Sequence, residues 1–118
     1  RTSYGINNYL TSRAPLQPWR QFTPIPSPSR TVHFLLMTEE GEYAGADHPH
    51  VESWWIGQRD AAPVLAARHL KLHAFGGDPG TWEARSNYGF LDGHAETLPF
   101  SAVYDTVKRN QFDPEVAR

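Results

Sequence analysis

The stretch NYGFLDGHAETLPF, Asn87 to Phe100, reads as two short strands joined at an Asp92-Gly93 turn. An Asp-Gly pair between apolar and β-branched residues is a strong local hairpin signal, because tight hairpin turns need residues that tolerate positive φ. Two registers fit the stretch. A two-residue turn sets Leu91 opposite His94, Phe90 opposite Ala95 and Tyr88 opposite Thr97, with Tyr88, Phe90, Ala95 and Thr97 on the packed face. A three-residue loop with Gly93 in a bulge sets Phe90 opposite His94 instead and shifts every partner. Both give a hairpin. Pro99 ends the returning strand or keeps it at a sheet edge, because it has no N–H for a further neighbour.

Upstream of the hairpin, Gly76-Gly77-Asp78-Pro79-Gly80 is a loop that Trp82 is expected to fold back onto the body. Leu70 to Phe75, LKLHAF, alternates apolar and polar positions and predicts a half-buried strand. Asp60 is expected to cap a short helix starting near Ala61, with Pro63 in its first turn and Ala62, Leu65, Ala66 and His69 along one stripe. Tyr43 to Gln58 has little periodicity and ends in Trp54-Trp55-Ile56. On a strand the two tryptophans would point to opposite sides. Thr31 to Met37, TVHFLLM, predicts a central strand buried on both faces, closed by the charged turn Glu39-Glu40-Gly41-Glu42.

Ser3 to Leu10 is a short extended stretch that Gly5 and Asn7-Asn8 weaken as a regular strand. Pro15, Pro18, Pro24, Pro26 and Pro28 make the next segment a long loop, which Trp19, Phe22 and Ile25 are expected to pin. Past the hairpin, Ser101 is expected to cap a last helix over 102–109, with Val103 and Val107 on one side. The tail from Phe112 to Arg118 is expected to fray. No internal repeat is present.

At 118 residues the chain suits one domain, taken as 1–118. Its 39% apolar content supports a modest core and argues against a disordered chain. Eleven basic against thirteen acidic residues give a net charge of -2, and no basic run is long enough to track a phosphate backbone, so nucleic acid is not expected as a partner. With no cysteine there are no disulfides, thiolate nucleophiles or cysteine metal sites. The apolar run Val32 to Met37 is far too short to span a bilayer. The chain opens Arg1-Thr2-Ser3-Tyr4 without an initiator methionine, and the expectation is that an upstream segment has been removed.

Six histidines raise the question of a metal. Asp47-His48-Pro49-His50 offers three donors in four positions, with His33, His69, His73 and His94 elsewhere. The spacing matches no specific zinc pattern, however, and the proline hinders convergence of the two rings. A calcium loop drawn from Glu39, Glu42, Asp47 and Asp78 lacks the spacing of an EF-hand. No Gly-x-Ser-x-Gly elbow or phosphate loop is present, and the carboxylates are scattered, so a paired acid and base is open only in principle. No catalytic, cofactor-binding or metal residue is therefore nominated, no cofactor is expected, and the chain is not expected to be an enzyme. His94 reads as a residue hydrogen-bonded near the turn. His69 reads as a structural anchor that holds the upstream segment against the hairpin. Its neutral ring both donates and accepts, so acid would weaken the fold if the acceptor is used.

Arg68-His69, followed by a glycine-containing stretch and by Asn87-Tyr88-Gly89-Phe90-Leu91-Asp92-Gly93-His94-Ala95-Glu96, resembles the C-terminal signature of bacterial prepilin-like proteins. This family belongs with the type II secretion pseudopilins and type IV pilin-like proteins. Ser3-Tyr4-Gly5-Ile6-Asn7-Asn8-Tyr9-Leu10 is similar to their Ser-Tyr-x-x-Asn segment, and Thr31 to Met37 resembles the strand that follows. Compact members hold the histidine closer to Asp-Gly, whereas 22 residues separate His69 from Asp92 here. The difference fits an insertion around Gly76 to Arg85 and leaves His73 as an alternative match. The resemblance implies an α+β pilin-like head with a small antiparallel sheet, long loops and a short C-terminal helix, lacking its N-terminal hydrophobic helix. It implies a structural subunit of a type II secretion pseudopilus or type IV pilus-like filament, anchored in the membrane at the periplasm or cell surface. Its partners would be other subunits and secretion-apparatus proteins. The alternative is an extracellular glycan- or ligand-binding module using Trp19, Tyr43, Trp54, Trp55 and Trp82 as stacking faces.

Overall fold

The structure, a computed structural model, describes residues 3–10 and 26–117. Pro15, Pro18, Pro24 and the expected anchors Trp19, Phe22 and Ile25 lie outside the described residues. The fold is α+β, with two short antiparallel sheets and two short helices. The larger sheet orders β1 (Ser3–Ile6), β2 (Val32–Met37), β3 (Arg85–Phe90) and β4 (Ala95–Pro99) side by side. Helix α1 (Ala62–Ala66) precedes β3. Helix α2 (Phe100–Val103) follows β4 directly and leads into a two-stranded ribbon, β5 (Tyr104–Thr106) and β6 (Arg109–Asn110). Among the described residues no helix is long and apolar enough to cross a membrane.

The hairpin forms where Asp92-Gly93 predicts it, in the three-residue register. Phe90 N–H donates to His94 O at 2.8 Å and Gly93 N–H to Phe90 O at 3.0 Å. Gly93 has φ 97°, whereas no residue other than glycine has positive φ among the described residues. The loop is thus a type I turn followed by a glycine bulge, and a type I′ turn is ruled out because Asp92 does not take the left-handed conformation. Tyr88 lies opposite Glu96 and Asn87 opposite Thr97. Ala95 and Thr97 therefore occupy the face opposite Tyr88 and Phe90, a correction that follows from the one-residue shift.

Strand β2 is central, as its composition predicts, but it is not sealed on both sides. Leu35, Leu36 and Met37 are buried, whereas Phe34 is exposed beside Tyr4 and Ile6 on the outer sheet face. The inner face carries the core. Trp54 is fully buried there, with ring centroids 5.2 Å from Phe112, 5.6 Å from Tyr104 and 5.8 Å from Phe100. An indole of this size removes roughly 200 Å² from water, worth about 5 kcal/mol before conformational costs.

Five other expectations are corrected. Trp54-Trp55-Ile56 is not a strand: Trp54 ends a 3₁₀ turn over Val51–Trp54, and Trp55 is half-buried beyond it. Asp60 does not cap α1, since a 3₁₀ turn over Arg59–Ala61 runs into the helix, although Pro63 does sit in its first turn. LKLHAF buries Leu70 and Leu72 but makes a single bridge, Leu70 to Met37. Strand β3 occupies the same side of β2 from Leu35 backwards, so no room remains for a longer pairing.

The predicted last helix over 102–109 is replaced by α2 and the ribbon. The Asn110 amide closes the ribbon turn by donating to Thr106 O and Val107 O, each at 3.1 Å. Its side-chain oxygen accepts the N–H groups of Phe112 and Asp113. The tail is held in place instead of fraying: Phe112 and Ala117 are fully buried, and Asn7 Nδ2 donates to Phe112 O at 2.6 Å. The same Asn7 amide donates to Val32 O, so one buried side chain ties β1 to β2 and to the C-terminal segment.

Candidate functional site

At the hairpin end, His94 lies between two carboxylates. Its Nδ1 pairs with Asp92, its Nε2 is 2.9 Å from Glu96 Oε2, and its ring stacks on Phe90 at 4.5 Å and 5°. Hydrogen bonds from Asp92 and then Glu96 raise the His94 pKa, and the bond to His94 lowers that of Asp92. The cluster is exposed. It braces the turn through local charge, as expected of a histidine hydrogen-bonded near the turn.

His69 is buried, with 3% of its surface exposed. The Trp54 indole N–H donates to its Nδ1 at 3.1 Å, and the His50 N–H approaches the same atom at 3.4 Å. The acceptor is used, so this ring is neutral in the fold and carries its proton on Nε2. Burial, then the neighbouring His50 and Arg68, lower its pKa from 6.5 to about 4. His69 anchors the His50–Trp54 segment, and through Trp54 it orients the centre of the core.

The remaining histidines do not join a common centre. His48 pairs with Asp47 at 2.6 Å, and His50 lies 3.8 Å from Glu52. Glu52 is itself held by Asn8 Nδ2 at 2.8 Å. His33 flanks Phe34 in the irregular start of β2, and His73 is exposed in a turn. Among the described residues no three His, Asp or Glu side chains converge to hold a metal ion. Of the aromatics considered as stacking faces, Trp54 is in the core and Trp82 stacks on Phe100 at 5.4 Å. Tyr43 packs edge-on to His69, and Trp55 is half-buried. Trp19 lies outside the described residues.

An open groove of about 840 Å³ runs along α2, the β5–β6 ribbon and the C-terminal segment. That volume falls within the range of roughly 300–1,000 Å³ typical of binding clefts. Arg30, Arg59, Lys108 and Arg109 line it against Asp105 and Glu115, so the lining carries four positive and two negative charges, net +2. Asp105 is engaged by Arg59, and Arg109 lies 3.7 Å from it. The Arg59 guanidinium also sits 4.1 Å above the Trp82 ring. Among the described residues, Arg30 and Lys108 make no ion pair. Only Lys108-Arg109 was visible as a basic pair in the sequence. Arg30 and Arg59 join it through tertiary contacts: Val32 N–H donates to Gln111 O, and Arg59 reaches Asp105.

No family model, curated protein or solved structure matches the chain.

Proposed function

We propose that this chain is the head domain of a pilin-like or pseudopilin-like filament subunit, acting by assembly and not by catalysis. The observation that carries the reading is the structural role of the residues on which the resemblance rests. Asp92-Gly93 forms the bend of an antiparallel hairpin, Asn7 of the Ser-Tyr-x-x-Asn segment clasps three parts of the chain, and buried His69 orients Trp54. The α+β architecture is compatible with such a head. In this reading a hydrophobic helix upstream anchors the subunit in the membrane, and the head faces the periplasm or the cell surface. Of the two candidate family histidines, the reading takes His69, because it is the one with a buried, bonded acceptor.

The test is the native gene product. The expected result is a prepilin leader and a long apolar helix directly upstream of Arg1, with the leader removed when the host's prepilin peptidase is present. An upstream sequence with neither feature, or a mature mass that ignores the peptidase, overturns the proposal.

A further inference from the structure

The acidic turn Glu39-Glu40-Gly41-Glu42 and the basic groove are charged surface features that neither the core nor the hairpin uses. All four residues of the turn are exposed, and among the described residues its three carboxylates make no ion pair. The tip of the turn is open to solvent: a Cβ placed on Gly41 would meet nothing within 4 Å. Arg68 and Lys71 line the surface beside it, so the neighbourhood carries three negative charges against two positive.

Turn and groove lie at opposite ends of β2: Arg30 precedes its first residue, Val32, and Glu39 follows its last, Met37. Six residues of strand separate the ends by about 17 Å. A turn so placed does not reach the groove of its own chain. It does present the complementary charge to the groove of another copy.

We infer that the groove, at Arg30, Lys108 and Arg109, receives the Glu39-Glu40-Gly41-Glu42 turn of a second copy of this chain, in a head-to-tail contact. Such a contact uses different patches on the two copies, so the pair keeps one free turn and one free groove, and addition continues as an open chain unless the rotation closes a ring. The inference deepens the filament reading and takes its biological meaning from it. The contact is electrostatic, made of exposed pairs that are individually weak, so it is expected to be reversible and sensitive to salt.

The test is sedimentation equilibrium of the 118-residue chain at concentrations up to about 1 mM, the range in which weak contacts register. At low ionic strength the average mass should rise with concentration, and the association constant should fall about tenfold at high salt. E39K/E40K/E42K, and separately R30E/K108E/R109E, should each stay monomeric, with circular dichroism showing that both remain folded. Mixed in equal amounts, the two variants present opposite charges at every turn and groove, so association should return. A wild-type chain that stays monomeric at low salt, reversal variants that associate undiminished, or a mixture that stays monomeric overturns the inference. Filaments assembled in cells from full-length protein carrying either triple substitution would sink this contact while leaving the filament reading intact. A gene with no leader or apolar helix would do the reverse.

Discussion

Replacing His69 with glutamine separates the hydrogen bond it accepts from the proton it takes up. In the folded chain His69 Nδ1 accepts the Trp54 indole N–H, and burial lowers the ring's pKa to about 4 from its ordinary 6.5. Between those values the unfolded chain binds a proton that the folded chain refuses. Stability therefore falls as pH drops from 6.5 towards 4, and the loss levels off below 4, where both states are protonated. The full displacement corresponds to about 3 kcal/mol at roughly 1.4 kcal/mol per pH unit, so a loss of about 1–3 kcal/mol is expected. The charged and titratable groups around the ring are His50, Arg68 and Tyr43, with His48 and Glu52 next to His50. Glutamine can offer its amide oxygen to Trp54 but does not titrate. Urea unfolding followed by tryptophan fluorescence at about pH 7.5 and pH 4.5 should show wild type losing about 1–3 kcal/mol more than His69→Gln across this interval. Equal losses in the two proteins would show that the His69 proton is not linked to folding and would refute the reasoning.

The hairpin should respond to pH with the opposite sign. His94 has a raised pKa, so its contribution is complete below its ordinary titration and is lost as pH rises through the raised value; the lowered Asp92 pKa adds stability that disappears only in stronger acid. NMR titration should place the His94 midpoint above that of a free imidazole and show it falling in Asp92→Asn, and an unchanged midpoint would remove the proposed bracing. Two glycines with similar backbones should differ in cost. At Gly77 (φ +80°) an added Cβ would stand 2.7 Å from both the Ala84 Cα and Glu83 O, whereas at Gly41 (φ +78°) it would meet open space. Gly77→Ala should therefore cost about 2 kcal/mol or more and Gly41→Ala about 1 kcal/mol. Equal thermal denaturation midpoints for the two variants would contradict that ranking.

The parts of this protein legible in the sequence are those decided within a few residues. Asp92-Gly93 bends the chain because glycine takes a conformation that other residues avoid, and TVHFLLM becomes a strand because it is short, apolar and β-branched at its start. The structural use of the His69 acceptor was also foreseeable, since a neutral histidine in a small core tends to find a donor. Local pattern failed where a partner was required. LKLHAF alternates as a strand should, yet β3 already occupies the side of β2 that it would need. Residues 102–109 carry a helix start, yet Asn110 draws them into a ribbon by bonding two carbonyls, and Asn7 fastens the tail from across the chain.

The charged groove lies at the far end of that scale. Arg30, Arg59, Lys108 and Arg109 share a wall only because strand β2, the Arg59 turn and the ribbon meet there. The sequence alone determined the Asp92-Gly93 bend and the extended run over Val32–Met37, because those choices depend on torsional preference and on the apolarity of neighbouring residues. Tertiary structure decided the hairpin register, the fate of the last helix and the convergence of charge, because each depends on which distant group supplies the hydrogen bond or fills the space.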